Sequence, residues 1–252
     1  MVLRRGTGWI DLGTLLIPHP DLLAGEEQPA QPCQKRSIEK RERLKTAALA
    51  CFGELGYEGT SIEVIARRAG MAVGGFYQHY RSKRQLLLAL MDELLHHLEQ
   101  LNLKPKSAGD GDIRAGLHDL LEAAFSHDLR YLGACRAWQE AVLSDAGLAR
   151  KQAKIHTWTT ARITAVFQFL AQLPGARTGI DLPALARVMD SFFWNLLAQA
   201  VTMPEVELKQ WIGAATHLIY HAIFTDTQRR PSSRTSRAAK PRSPSSGRRS
   251  PR

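Results

Sequence analysis

The sequence predicts an all-α protein of about nine helices, with three N-terminal helices in a helix-turn-helix arrangement followed by a second helical domain. Three observations predict it: apolar residues recur at helical spacing along most of the chain, no alternating strand run occurs, and helix stop and start residues fall between the apolar stripes.

The first stripe, over 38–55, consists of Leu44, Ala47, Ala48, Cys51, Phe52 and Leu55, and Gly56 follows as a stop. Thr60-Ser61-Ile62-Glu63 reads as a capping box, with the Thr60 hydroxyl satisfying the first amides and the carboxylate three residues on reaching back. The short helix it opens turns Ile62, Ile65, Ala66 and Ala69 inward and ends at Gly70. A tight turn and a second short helix through Tyr80 follow. Ser82 with Gln85 makes another capping box, at the head of a Leu-rich helix reaching Leu101. Residues 104–112 are rich in helix breakers and mark a boundary. Beyond it the spacing predicts helices over 113–126, 129–143 and 155–173, the last stopped by Pro174-Gly175. Another opens at Asp181 with Pro183 in its first turn, and the last starts at Pro204. The expected organisation is a disordered extension over 1–35 and a helix-turn-helix domain over 36–82 that continues into a connecting helix to about 103. A regulatory and dimerisation domain over 104–227 and a disordered basic tail over 228–252 complete it.

The net charge of +10 is not by itself a nucleic-acid signature. Residues 1–34 carry −2, residues 35–103 carry +3, residues 104–227 carry 0 and residues 228–252 carry +9. The excess therefore sits in a Ser/Pro/Arg-rich tail, which either attracts phosphate non-specifically or is simply solvated. No apolar run is long enough to span a membrane. The N-terminal apolar segment is broken by Asp11 and lacks a small-residue cleavage site, so it reads as an extension rather than a signal peptide. Cys33, Cys51 and Cys135 are far apart and odd in number, as expected in a reducing compartment, and the histidines at 96, 97, 118, 127 and 156 show no ligand spacing. The expectation is no cofactor and no metal. No nucleophile, base and orienting partner assemble in the sequence, so no enzyme is expected.

The two short helices about Gly70 are what a helix-turn-helix requires, since glycine allows the reversal that a side chain resists. Val73, Gly74 and Gly75 give the second of them a slim leading edge for a major groove about 12 Å wide. Residues 41–95 resemble the DNA-binding domain of the TetR family of bacterial repressors. The resemblance rests on Phe52, Gly56-Tyr57, Thr60-Ser61, Ile65-Ala66, Ala69-Gly70, Gly75, Phe76-Tyr77, His79-Tyr80, Ser82-Lys83 and Leu86-Leu87. It implies phosphate contacts from Thr60, Ser61, Tyr77, His79 and Lys83. It also implies base-edge contacts from Ala72, Val73, Gly74, Gly75, Tyr77 and Gln78. Ala72 stands where a Ser or Thr commonly caps the reading helix, so that cap is lost.

In the second half the stripes of the helices opened by Asp181 and Pro204 suggest a two-fold four-helix interface made of Phe192, Leu196, Leu208, Trp211, Ala215, Leu218, Ile219 and Ala222. The resemblance implies an effector site among the middle helices. Phe125, Trp138, Trp158, Phe167, Phe193 and Trp194 are candidates to line it, and Gln139, Glu140, His156, Arg162, Asp190 and Asn195 are candidates to orient a ligand. The function these readings imply is a cytoplasmic, nucleoid-associated homodimeric repressor released from a pseudo-palindromic operator in double-stranded DNA by a small-molecule effector. The alternative is a DNA-binding regulator without an effector, controlled by partner proteins or abundance.

Overall fold

The computed structural model describes residues 17–27, 34–100 and 112–225. The linker at 104–111, Cys33 and the tail at 228–252 lie outside the described residues. Nine α-helices occur among those described, with no strand: α1 (Lys35–Leu55), α2 (Ile62–Arg68), α3 (Val73–Tyr77), α4 (Lys83–Gln100), α5 (Ile113–Asp128), α6 (Leu132–Ala141), α7 (Ala146–Leu170), α8 (Leu182–Ala200) and α9 (Glu205–Ile223). One isolated bridge pairs Ala176 with Phe224.

Local chemistry sets most of these boundaries. Asp112, Asp145 and Asp181 cap α5, α7 and α8 by accepting amide hydrogen bonds from the first turn, and Pro183 sits within the start of α8. α7 begins at Ala146 rather than at 155, because Leu148 alone is buried in its first turns and apolar spacing is silent there. The segment expected to be helical over 129–143 begins instead as a 3₁₀ turn, Leu129–Tyr131, and α6 follows it.

Two layers of contact tie the N-terminal helices to the rest. α6 crosses α1 where Gly133 meets Leu49 and Gly53. The crossing is pinned by Arg136, which donates to the Gly53 carbonyl at 2.7 Å, and by Glu140, which accepts from the Tyr57 amide at 2.6 Å. The second layer corrects an expectation. Part of the extension read as disordered is packed on the helices. Leu22 is fully buried, its amide donates to Asp92 on α4, and the Ile17 carbonyl accepts from the Trp158 indole on α7 at 2.8 Å. Glu26 from this strap and Asp145 from the head of α7 both pair with Arg84 at the head of α4, at 2.7 and 2.6 Å. Apolar burial is continuous from Phe52 and Phe76 through Leu90 to Trp138 and Phe167. Cys51 and Cys135 are buried, and neither forms a disulfide among the described residues.

Candidate functional site

The helix-turn-helix is built from α2, the turn at Gly70 and α3. Ile65 and Ala66 bury the inner face of α2 beneath α1. Gly70 has φ +68°, a left-handed backbone, and the Met71 amide reaches back to the Ala66 carbonyl at 2.9 Å. Those bonds satisfy the last carbonyls of α2 and reverse the chain within a few residues. α3 then runs only to Tyr77, not to Tyr80. The amides of His79 and Tyr80 both return to the Phe76 carbonyl, so the chain tightens into a turn instead of continuing as helix. Phe76 and Tyr80 are buried anchors, and Arg41 donates to the Tyr80 hydroxyl at 3.1 Å.

The exposed edge of this unit carries Ala72, Gly74, Tyr77 and Gln78, with Val73 and Gly75 half-buried behind them. Tyr77 is the large side chain here, 53% exposed. Ala72 holds the extended N-cap backbone of α3 with no side-chain cap, so one first-turn amide lacks the partner a Ser would supply.

Three phosphate-contact expectations look different in three dimensions. Ser61, not Thr60, caps α2, accepting from the Val64 amide at 3.3 Å. Thr60 is buried and donates to the Gly56 carbonyl at 2.6 Å, because the chain leaving α1 needs a partner for that carbonyl. His79 is also buried, with its Nε2 lacking a hydrogen-bond partner among the described residues, and burial together with the charges of Arg41 and Lys40 lowers its pKa. Lys83 is held inward, donating to the Tyr57 carbonyl at 2.6 Å and lying 4.1 Å over the Tyr57 ring. The second capping box is present in a shifted form. Ser82 accepts from the Gln85 amide, while the Gln85 side chain returns to the Arg81 amide rather than to that of Ser82. Arg68 forms a two-pronged pair with Glu54 at 2.6 Å, which occupies its guanidinium in the free protein.

Residues 44–90 match the family of bacterial regulatory proteins, tetR family. These residues therefore form a TetR-family DNA-binding domain.

A relative consistent with that assignment is the uncharacterized HTH-type transcriptional regulator YvdT of Bacillus subtilis, 35% identical over 92 residues, or 36% of this chain and 46% of the relative. The chain spans about half the length of the curated relatives it matches. Beyond that domain, likeness is one of fold. A TetR family transcriptional regulator from Chloroflexus aurantiacus superposes with a TM-score of 0.53 at 20% identity, covering 79% of this chain and all of the other. The SmeT–triclosan complex superposes with a TM-score of 0.52 at 26% identity, covering 75% of this chain and 93% of SmeT.

Beyond the matched domain, a cavity of about 190 Å³ lies among α4, α5, α7, α8 and α9. Of the six aromatic candidates, Trp158, Phe167, Phe193 and Trp194 line it. Phe125 stands behind Phe193, ring centroids 5.6 Å apart. Trp138 does not reach it; its indole donates to Gln152 between α6 and α7. Aliphatic residues that sequence reasoning did not assign to a pocket complete the wall, among them Leu94 and Leu98 of α4, Leu117 and Leu121 of α5, and Ile219, which was expected at the dimer interface. Of the polar candidates, Arg162 and Asp190 reach the cavity. Gln139 instead bonds the Trp194 carbonyl, Glu140 belongs to the α1–α6 crossing, His156 bonds Asp190, and Asn195 pairs with Gln199 at the surface.

The α8–α9 stripe also divides on inspection. Leu196, Leu208, Ala215 and Ile219 are buried inside the protomer, so they cannot meet a partner chain. The reason is geometric: α9 packs on α5, and α8 packs on α7 and α6, which leaves these residues in the interior. The outward face instead carries Phe192 stacked on Trp211 at 5.8 Å, the half-buried Ala222, and the exposed Val188, Val206 and Leu218.

Among the described residues, two groups of possible metal ligands come together. His19, His96 and Glu99 form one and His118, Asp119 and Glu122 the other, each with ligand atoms within 4.8 Å. The first joins the strap to α4, a proximity no sequence spacing reveals. Among the described residues no helix is long and apolar enough to cross a membrane.

Proposed function

We propose that this TetR-family protein is a homodimeric DNA-binding repressor released from a pseudo-palindromic operator when a small molecule enters the α4–α9 cavity. The observation that carries the proposal is the slim, exposed edge of α3, presented at a steep turn by Gly70 and anchored from behind by Phe76 and Tyr80. Such an edge fits a major groove, and a two-fold dimer would hold two copies one DNA turn, about 34–36 Å, apart. The outward apolar face of α8 and α9 is the surface on which the second copy would pack. Exposed valines and a leucine beside a stacked Phe–Trp pair are costly to leave in water.

Release rests on α4. This helix of 18 residues begins at the DNA-binding unit and carries Leu94 and Leu98 into the cavity wall. At 1.5 Å per residue it is a lever about 27 Å long. A guest that presses on Leu94 and Leu98 favours a different α4 position, and through it a different spacing of the two α3 helices. The ligand weakens DNA binding only by the difference in its affinity for the two arrangements. That SmeT, of similar fold, is seen with triclosan supports the effector reading over control by partner proteins alone. As a DNA-binding regulator the protein would act in the cytoplasm.

Selection of bound sites from a random double-stranded DNA library by the purified full chain tests the proposal. Enrichment of a two-fold symmetric site is the expected result, with affinity falling steeply as salt rises. Recovery of no enriched sequence would overturn it.

A further inference from the structure

We infer that the cavity selects hydrophobic acids, with the guest's anionic head on Arg162 and its apolar body among the tryptophans and leucines. The inference rests on reading this cavity as the effector site. Arg162 lies on α7 and is 8% exposed. One guanidinium nitrogen, Nη2, donates to the Leu98 carbonyl at 2.9 Å, and the side chain lies 4.8 Å over the Trp158 ring. The second terminal nitrogen, Nη1, is buried without a hydrogen-bond partner among the described residues. Guanidinium keeps its proton, so this is a buried cation with an unused donor in an apolar chamber. Leaving such a donor unpaired is among the more costly features a core can contain.

Two other polar side chains of the wall, Thr159 and Asp190, are already engaged. The Thr159 hydroxyl donates to the Ile155 carbonyl at 3.0 Å, and Asp190 is held by His156 Nδ1 at 2.5 Å. No carboxylate forms an ion pair with Arg162 among the described residues; Glu99 acts on it only through space. The buried cation therefore presents an unmet demand for an acceptor, and a charged acceptor meets it best. A carboxylate placed elsewhere in this wall would lose its hydration for nothing, so the arginine discriminates by charge as well as by shape. Size follows from volume. A cavity of about 150 Å³ accommodates benzene, so on the order of ten non-hydrogen atoms suit about 190 Å³.

Octanoate against octanamide, and 4-methylbenzoate against 4-methylbenzamide, are matched in shape and differ in charge at pH 7.5. Titration of the full-length chain is followed by quenching of tryptophan fluorescence, since Trp158 and Trp194 line the chamber, and by thermal shift. Each carboxylate is expected to bind at least tenfold more tightly than its amide. Arg162→Met, which keeps the apolar stem, should reverse the preference, and Arg162→Lys should keep part of it. Equal or tighter binding of the amides to the wild-type protein refutes the acid selectivity while leaving the cavity as a ligand site. An unchanged carboxylate preference in a folded Arg162→Met removes Arg162 from the role. If no compound of either pair quenches or shifts the wild-type protein up to millimolar concentration, both the selectivity and the effector reading of this cavity fall. Should Arg162→Met not fold, the wild-type comparison and Arg162→Lys decide.

Discussion

Replacing Gly133 by alanine places a methyl group where α6 touches α1. An ideal Cβ at 133 would stand 2.9 Å from the Leu49 carbonyl carbon and 2.9 Å from the Gly53 nitrogen, with the Leu49 oxygen nearer still. The obstacle is helix backbone, which cannot swing aside as a side chain end does. The two helices must part by several tenths of an ångström or more, and overpacking of this kind costs about 1–3 kcal/mol. Parting them also stretches the Arg136–Gly53 and Glu140–Tyr57 hydrogen bonds, each worth about 1 kcal/mol. Against this stands a helix-propensity gain of up to about 1 kcal/mol for alanine over glycine. The net loss is about 2–4 kcal/mol, or roughly 5–15 °C in melting temperature for a chain of this size. Gly53, on the opposite side of the crossing, has only ordinary contacts of 3.5 and 3.6 Å around its ideal Cβ, so Gly53→Ala should be neutral or slightly stabilising. Melting both variants by circular dichroism at matched concentration measures the contrast. A Gly133→Ala protein melting within 2 °C of wild type would refute the account of this junction.

Gly74 lies on the exposed edge of α3 with nothing within 4 Å of an ideal Cβ. Gly74→Ala should therefore stabilise α3 by about 1 kcal/mol and slow amide exchange over 73–77 by about fivefold, and unchanged exchange would contradict it. Trp211→Glu puts a charge on the outward α8–α9 face, and a sedimentation mass of one chain, against two for wild type, is expected; an unaltered mass refutes that interface. Stability should fall with acid through Arg84. Its hydrogen bond depresses the Glu26 pKa, and for Asp145 the bonds from Arg84 and the Leu148 and Gly147 amides outweigh burial, which acts in the opposite direction. Depressed carboxyl pKa values mean stability that is present above the unfolded values and lost as pH falls through the folded ones, from about pH 4.5 downward. Arg84→Met should flatten denaturation midpoints measured across pH 5 to 3; an equally steep loss would show that other carboxylates set it.

Much of this architecture was legible in residues close in sequence, because capping, turn formation and amphipathic spacing are local effects. The all-α class, the stop at Gly56, the reversal at Gly70 and the absent cap at Ala72 belong to that category. Errors occurred where a choice depended on neighbours. Thr60 and Ser61 are both hydroxyl residues, and only the path of the chain leaving α1 turned the first inward and left the second as cap. Periodicity found the apolar stripes of α8 and α9, yet each helix has two apolar arcs. Packing against α5 and α7 assigned Leu196, Leu208, Ala215 and Ile219 to the interior and Val188, Val206 and Leu218 to the outside.

The sequence by itself determined the helix-turn-helix, because its caps, glycine and anchor aromatics act within a few residues of one another. Tertiary structure decided the rest. It folded the 17–27 strap onto Trp158 and Arg84, residues far along the chain, where composition suggested disorder. It removed Trp138 from the cavity and brought five helices around Arg162, leaving Nη1 of that cation unpaired. Hydrophobic burial is non-directional, so an apolar residue is marked for the interior by its type, while which interior it enters is settled only when the helices pack.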